Sequence, residues 1–245
     1  MASTVRTDKV GPVSGSADFT LPTSDGTAGQ FLKTDGSLGL GFATVASTVY
    51  GLNSVQVFTA TGTWTKPTGV TKVIVEVQAG GGGGGNNSGG YNGGSGGGGA
   101  YAQKFLDVTN IDTATVTVGA AGAVTVTGGT SSFAKLAGSG SFTTVECLGG
   151  TGATNAVSPT QGNGGYGGAV PTTGDINVGG GDGTYGGVGN GNRPGGSYMG
   201  VMCGFATGAA QAGRPSVGFG TGGMAGHSGA GAAGGAGIVY VREFK

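Results

Sequence analysis

Four tyrosines stand in stretches almost bare of other side chains: Tyr91, Tyr166, Tyr185 and Tyr198. Asparagines accompany them at Asn92, Asn163 and Asn190. An aromatic face beside an amide suits a sugar ring, which offers an apolar side and a rim of hydroxyls, and it equally suits the loops of an outer-membrane protein. The same rings have a plainer use as small plugs between glycine tracts. Phe205 and Phe219, with Met199 and Met202 near the first, lean to plugging, and the tyrosines lean to contact. The seven tyrosines and asparagines are therefore the receptor-contact candidates.

Other chemistries find little to work with. Glycan hydrolysis needs a pair of carboxylates, and from residue 55 onward the acids are Glu76, Asp107, Asp112, Glu146, Asp175, Asp182 and Glu243. Glu76 and Glu243 fall in strands and read as solvated-face residues. Matches to the glycine pattern of nucleotide-binding loops are numerous, but random placement of this much glycine produces them, and no tract runs on into lysine. His227 is the only histidine. It reads as a loop residue, with a metal shared between three copies as the sharper alternative. Cys147 and Cys203 are the only cysteines, and assembly in a cytoplasm favours buried free thiols over a bridge. No enzyme, metal or cofactor is expected.

Sixty-three of the 245 residues are glycine. Glycine loses more backbone freedom on folding than any other residue, and a chain with 7% aromatics has few large side chains to offset that cost. Either the tracts are disordered or they pack backbone to backbone and are stabilised by association between chains. The strands that bracket each tract favour packing. Only 9% of residues are charged and the net charge is zero, which argues against a nucleic-acid partner. No apolar run reaches the length of a membrane span, and the polar opening Met1-Ala2-Ser3-Thr4 predicts no secretory signal.

The elements that must position these residues divide at Ser54. Residues 1–54 carry an alternating block around Asp8-Lys9-Val10, then Leu21-Pro22, Asp25-Gly26, Gly29-Gln30-Phe31-Leu32, Thr34-Asp35-Gly36 and Phe42. Asp-Gly between apolar residues forms turns, so this reads as strand-turn-strand with too little apolar surface to close a core alone. Residues 55–245 form the second domain. Val73, Val75 and Val77 alternate with Ile74, Glu76 and Gln78, the period of a strand with one buried face. Further strands are expected at 55–59, 101–108, 113–118, 123–127, 141–148 and 238–244, about seven in all, with 113–118 and 123–127 paired as a hairpin. That is enough for a two-sheet sandwich. No window has helical periodicity with caps, so the class is all-β.

Between the strands run six consecutive glycines, Gly80 to Gly85, a glycine-rich stretch to Gly99, and a second tract from Gly149 to Gly237. In GNGGYGG at Gly162–Gly168, glycine fills two of every three positions. That period suits a polyglycine II helix, with three residues per turn and no internal hydrogen bonds. Irregular loops are the bland alternative.

The run from Phe58 through Gly62-Thr63-Trp64, Pro67-Thr68-Gly69-Val70 and the Val73–Val77 strand into polyglycine resembles the glycine-rich domain at the ends of bacteriophage tail fibres. The closing strand Ile238–Phe244 belongs to the same likeness, which covers Val55 to Lys245. The N-terminal motifs are similar to fibre-shaft elements. The resemblance implies a homotrimeric virion protein made in the host cytoplasm. Its residues 1–54 would attach to an upstream virion or fibre protein, and its distal domain would meet a host glycan or outer-membrane protein. Two other readings stay open: an architectural or decoration subunit without host contact, and a bacterial glycine-rich surface protein.

Overall fold

The computed structural model describes residues 8–10, 18–44, 51–187, 192–200, 218–227 and 229–245. Among them there is no helix. The strands are β1 (Lys9–Val10), β2 (Phe19–Thr20), β3 (Gln30–Thr34), β4 (Leu40–Thr44), β5 (Leu52–Phe58), β6 (Gly62–Thr65), β7 (Lys72–Gln78), β8 (Tyr101–Asp107), β9 (Thr113–Thr117), β10 (Ser131–Ala137), β11 (Val145–Cys147), β12 (Ile176–Val178) and β13 (Ile238–Phe244). The chain forms two compact units, Met1–Val49 and Tyr50–Lys245. The protein is all-β with a glycine-rich domain.

In the first unit β1 pairs with β2 and β3 with β4, both antiparallel. The β3–β4 reversal is organised by Asp35, whose Oδ1 accepts from the backbone N–H groups of Ser37 at 2.7 Å and Gly39 at 3.0 Å. Those bonds favour the ionised carboxylate and hold its pKa below the ordinary value. Gly36, at φ 87°, and Leu38, at φ 66°, are the left-handed residues of the turn. Within one copy Phe31, Leu32, Leu38 and Phe42 remain 37–50% exposed.

The second unit is a two-sheet sandwich. One sheet has the order β12-β8-β7-β13-β5 and the other β11-β10-β9-β6, with every neighbouring pair antiparallel. The alternation in β7 does what its period requires: Val73, Val75 and Val77 are fully buried. They meet Val239 and Val241 of β13 and, from the facing sheet, Trp64, Val116 and Phe133. Trp64 and Phe133 meet edge to face with centroids 5.7 Å apart. Cys147 is a free, buried thiol. Burial raises its pKa to about 12, and it donates to the Val77 carbonyl at 3.3 Å. Cys203 lies outside the described residues.

Three sequence expectations are corrected. Residues 123–127 are not a strand and form no hairpin with 113–118. Val126 N–H bonds back to the Ala123 carbonyl at 2.8 Å and Thr125 takes φ 64°, so this β-branched run makes a tight reversal, and β9 pairs with β10 and β6 instead. Only Val145–Cys147 of the expected 141–148 strand is extended and paired. Glu76 and Glu243 are not solvated: they are 6% and 0% exposed. Glu243 accepts from Trp64 Nε1 and Gln56 Nε2, each at 2.7 Å, and from Ser54 Oγ. Glu76 is ion-paired with Arg242 across the β7–β13 register. Burial needs such partners, and they come from strands distant in sequence.

Among the described residues the glycine tracts form ordered rods. Along residues 79–85 successive N–H groups point to three different neighbours and then repeat. Ala79, Gly82 and Gly85 donate to Ala100, Gly97 and Gly94; Gly80 and Gly83 donate to Gly129 and Val126; Gly81 and Gly84 donate to Gly235 and Ala232. The carbonyls repeat the pattern toward three more segments, since Gly81 and Gly84 accept from Gly122 and Thr125, Gly80 and Gly83 from Gly150 and Ala153, and Gly82 and Gly85 from Gly223 and Gly226. A rod of three residues per turn, hydrogen-bonded to six surrounding rods, is the polyglycine II arrangement. Residues 92–100 form a second such core rod, donating to 148–154, 181–184 and 220–223, and accepting from 79–85, 162–168 and 195. Close approach requires glycine here: a Cβ on any of Gly80 to Gly85 would lie under 3.0 Å from a neighbouring backbone carbonyl oxygen. Each N–H from Ala79 to Gly85 is satisfied by another rod rather than by its own, which is how a tract without regular strands meets its hydrogen-bonding requirement.

Candidate functional site

A threefold rod presents every third residue to the same side. On the rod 162–168, Gly162, Gly165 and Gly168 donate to Asn92, Ser95 and Gly98 of the core rod. Asn163 and Tyr166 therefore point outward, and both are exposed. The adjacent rod 148–156 turns Thr151 and Thr154 toward the same surface, because Thr151 and Thr154 bond to the carbonyls of Tyr166 and Asn163. On the other side the rod 180–186 runs antiparallel, with Gly180, Gly183 and Gly186 donating to Gly168, Gly165 and Gly162. Its outward residues are Asp182 and Tyr185.

These three rows enclose a shallow groove of about 590 Å³ whose side chains are Thr151, Thr154, Asn163, Tyr166, Asp182 and Tyr185. Tyr166 is 73% exposed and Tyr185 53%. The walls are fixed by bonds to the backbone: Tyr166 N–H donates to Thr151 Oγ1 at 2.6 Å, Asn163 N–H to Thr154 Oγ1 at 2.7 Å, and Gly167 N–H to Asp182 Oδ1 at 2.7 Å. The Asn163 side-chain amide has no hydrogen-bond partner among the described residues. The groove thus offers two rings, one carboxylate, one amide and no cation.

The structure brings together Tyr166, Tyr185 and Asn163 and disperses the other candidates. Tyr91 lies half-buried at the far end of the bundle, where its backbone exchanges hydrogen bonds with Ser88. Asn92 is corrected: it is 1% exposed, its amide donates to the Gly187 carbonyl at 2.5 Å, and it fastens two rods rather than meeting a partner. Tyr198 sits at the sandwich end, stacked on Tyr101 with centroids 4.1 Å apart, yet 61% exposed, so it shares the roles of plug and surface ring. Burial first, and then the neighbouring Glu76 carboxylate, push the Tyr101 hydroxyl well above the ordinary phenol range. Phe219 is 37% exposed. Asn190, Phe205 and Met202 lie outside the described residues. The His227 carbonyl accepts from Asn87 Nδ2 at 2.8 Å. Among the described residues no three His, Cys, Asp or Glu side chains cluster as metal ligands, and no helix is long and apolar enough to cross a membrane.

Sequence reasoning missed Thr151, Thr154 and Asp182. Their place depends on which rods lie side by side. The available signal was the third-residue spacing of polar side chains within glycine, at Thr151 and Thr154 and again at Asp182 and Tyr185.

Sandwich and rod bundle together define a glycine-rich all-β domain. Residues 56–243 match the family model described as a glycine-rich domain, and the chain belongs to that family. A comparison with curated proteins finds none that matches the chain.

Proposed function

We propose that the protein is a virion fibre subunit, homotrimeric, whose glycine-rich domain meets the host surface while residues 1–54 join an upstream virion protein. The observation that carries this reading is the direction of the rods. The turns at 86–91 and 157–160 lie at the end of the bundle opposite the sandwich, as the hydrogen-bond registers require, and His227 and Gly229 bond to Asn87 at that same end. A backbone-bonded scaffold that gathers its turns at one end and carries side chains on its flanks suits presentation to a partner. The trimer draws support from Phe31, Leu32, Leu38 and Phe42, which one copy leaves exposed and association would cover.

Purified protein added to host cells ahead of virions is expected to block adsorption, and light scattering is expected to give a particle of ~69 kDa, three times the chain mass of 23.1 kDa. A monomer at micromolar concentration sinks the trimer, and undiminished adsorption at saturating protein sinks the host-contact role. The architectural reading has its own observation. Val55, Val57, Phe105 and Ile176 are exposed on one face of the five-stranded sheet and would suit a neighbouring virion subunit. Antibody labelling of virions separates the two, with label at a free tip for host contact and on the shell for decoration.

A further inference from the structure

We propose that the groove between the rods 148–156, 162–168 and 180–186 is a binding site for neutral or amino pyranose sugars. This rests on the host-contact reading for its biological setting, but its chemistry stands on the groove alone. A pyranose ring presents axial C–H groups on one side, which pack on an aromatic face, and hydroxyls at its rim, which exchange hydrogen bonds with carboxylates, amides and hydroxyls. The groove holds both kinds of partner within about 590 Å³, room for one to three sugar units. Tyr166 and Tyr185, on neighbouring antiparallel rods, are the stacking rings, and their exposure leaves those faces open. Asp182 is half engaged: Oδ1 accepts from Gly167 N–H, and Oδ2 is the acceptor for a sugar hydroxyl or ammonium. The Asn163 amide supplies a donor and an acceptor beside Tyr166.

Charge selects the class. The only ionisable carboxyl in the lining is Asp182 and the lining contains no Lys, Arg or His, so a uronic or sialic acid would bring like charge against a carboxylate with nothing to offset it. An amino sugar gains an ion pair at the same point. The site is also pre-organised, because every rod around it is held by backbone hydrogen bonds. A ligand therefore has only two tyrosine rings and one amide to immobilise.

The test is saturation-transfer NMR with titration of the full-length protein against chitotriose, chitosan trimer, maltotriose and a trigalacturonate. At least one neutral or amino oligosaccharide is expected to bind, with trigalacturonate at least about tenfold weaker. Tyr166→Ala and Tyr185→Ala should each weaken binding about thirtyfold without moving the thermal midpoint. Asp182→Asn keeps an acceptor for Gly167 and should abolish any preference for chitosan over chitotriose. Absence of binding by all four at ~10 mM overturns the inference, as does preference for the uronate or binding unmoved in both tyrosine variants. Adsorption competition reads separately. Competition by a protein that binds none of the sugars refutes this site and leaves the host-contact role standing, whereas sugar binding without competition refutes that role and leaves the site.

Discussion

Gly82→Ala is expected to cost at least about 3 kcal/mol, lowering the melting temperature by roughly 6–12 °C for a chain of this size. The added methyl would meet the Thr151 and Gly150 carbonyls, both backbone, at a position whose own N–H and carbonyl are bonded to Gly97 and Gly223. No flexible side chain is there to give way. Rods must part, and parting them breaks bonds to several neighbours at once. Ala169→Val adds more carbon to an exposed residue just past the 162–168 rod and should stay within about 0.5 kcal/mol. Differential scanning calorimetry of the pair is decisive: equal, small losses in both would mean that the bundle does not pack as described.

Glu243→Ala should be at least comparably damaging, at about 3–5 kcal/mol. The loss removes the common acceptor of Trp64 Nε1, Gln56 Nε2 and Ser54 Oγ, and the fully buried Trp64 Nε1 is left without water to replace it. Glu243→Gln preserves volume and one acceptor oxygen but turns a new N–H₂ toward existing donors, so it should fall between. The protein has a single tryptophan, so its emission reports this site directly. Denaturant titration followed at Trp64 should show the three proteins in the order wild type, Gln, Ala. If Glu243→Ala unfolds at the wild-type midpoint, the carboxylate is not holding β13 to β5 and β6.

Both effects concern residues that the sequence discloses unequally. The strands β7 and β13 were legible from their alternating valines, β8 from its two-residue alternation of side chains and β9 from its β-branched run. GNGGYGG suited a threefold rod, since glycine at two positions in three leaves one free side, but left irregular loops open as the alternative. By contrast β6 is four residues around a tryptophan and reads as a turn, and SSFAKLA of β10 mixes alanine and lysine, which no strand preference singles out. β12 has three residues. Glu243 looked solvated because its partners lie nearly 190 positions away. The groove was hidden for a related reason. Glycine carries no mark of which rod it will touch, so Tyr166 could be seen as a ring while Thr151 and Asp182 could not be seen as its neighbours.

The threefold geometry also gives some tracts a reading frame and leaves others without one. In the run Gly80–Gly85 every residue is interchangeable with the next. One extra glycine there leaves the contacts unchanged and passes its slack into the turn at 86–91. In 162–168 the same insertion, placed between Gly164 and Gly165, rotates Tyr166 by about 120° relative to Asn163. One of the two must then face the backbone of a neighbouring rod, where no side chain fits, whereas inserting three residues restores the phase. Thermal melts of one- and three-residue insertions at this point should differ sharply, while the same pair within Gly80–Gly85 should not. Length variation in such a domain is therefore quantised in triplets wherever side chains punctuate the glycine, and continuous where they do not.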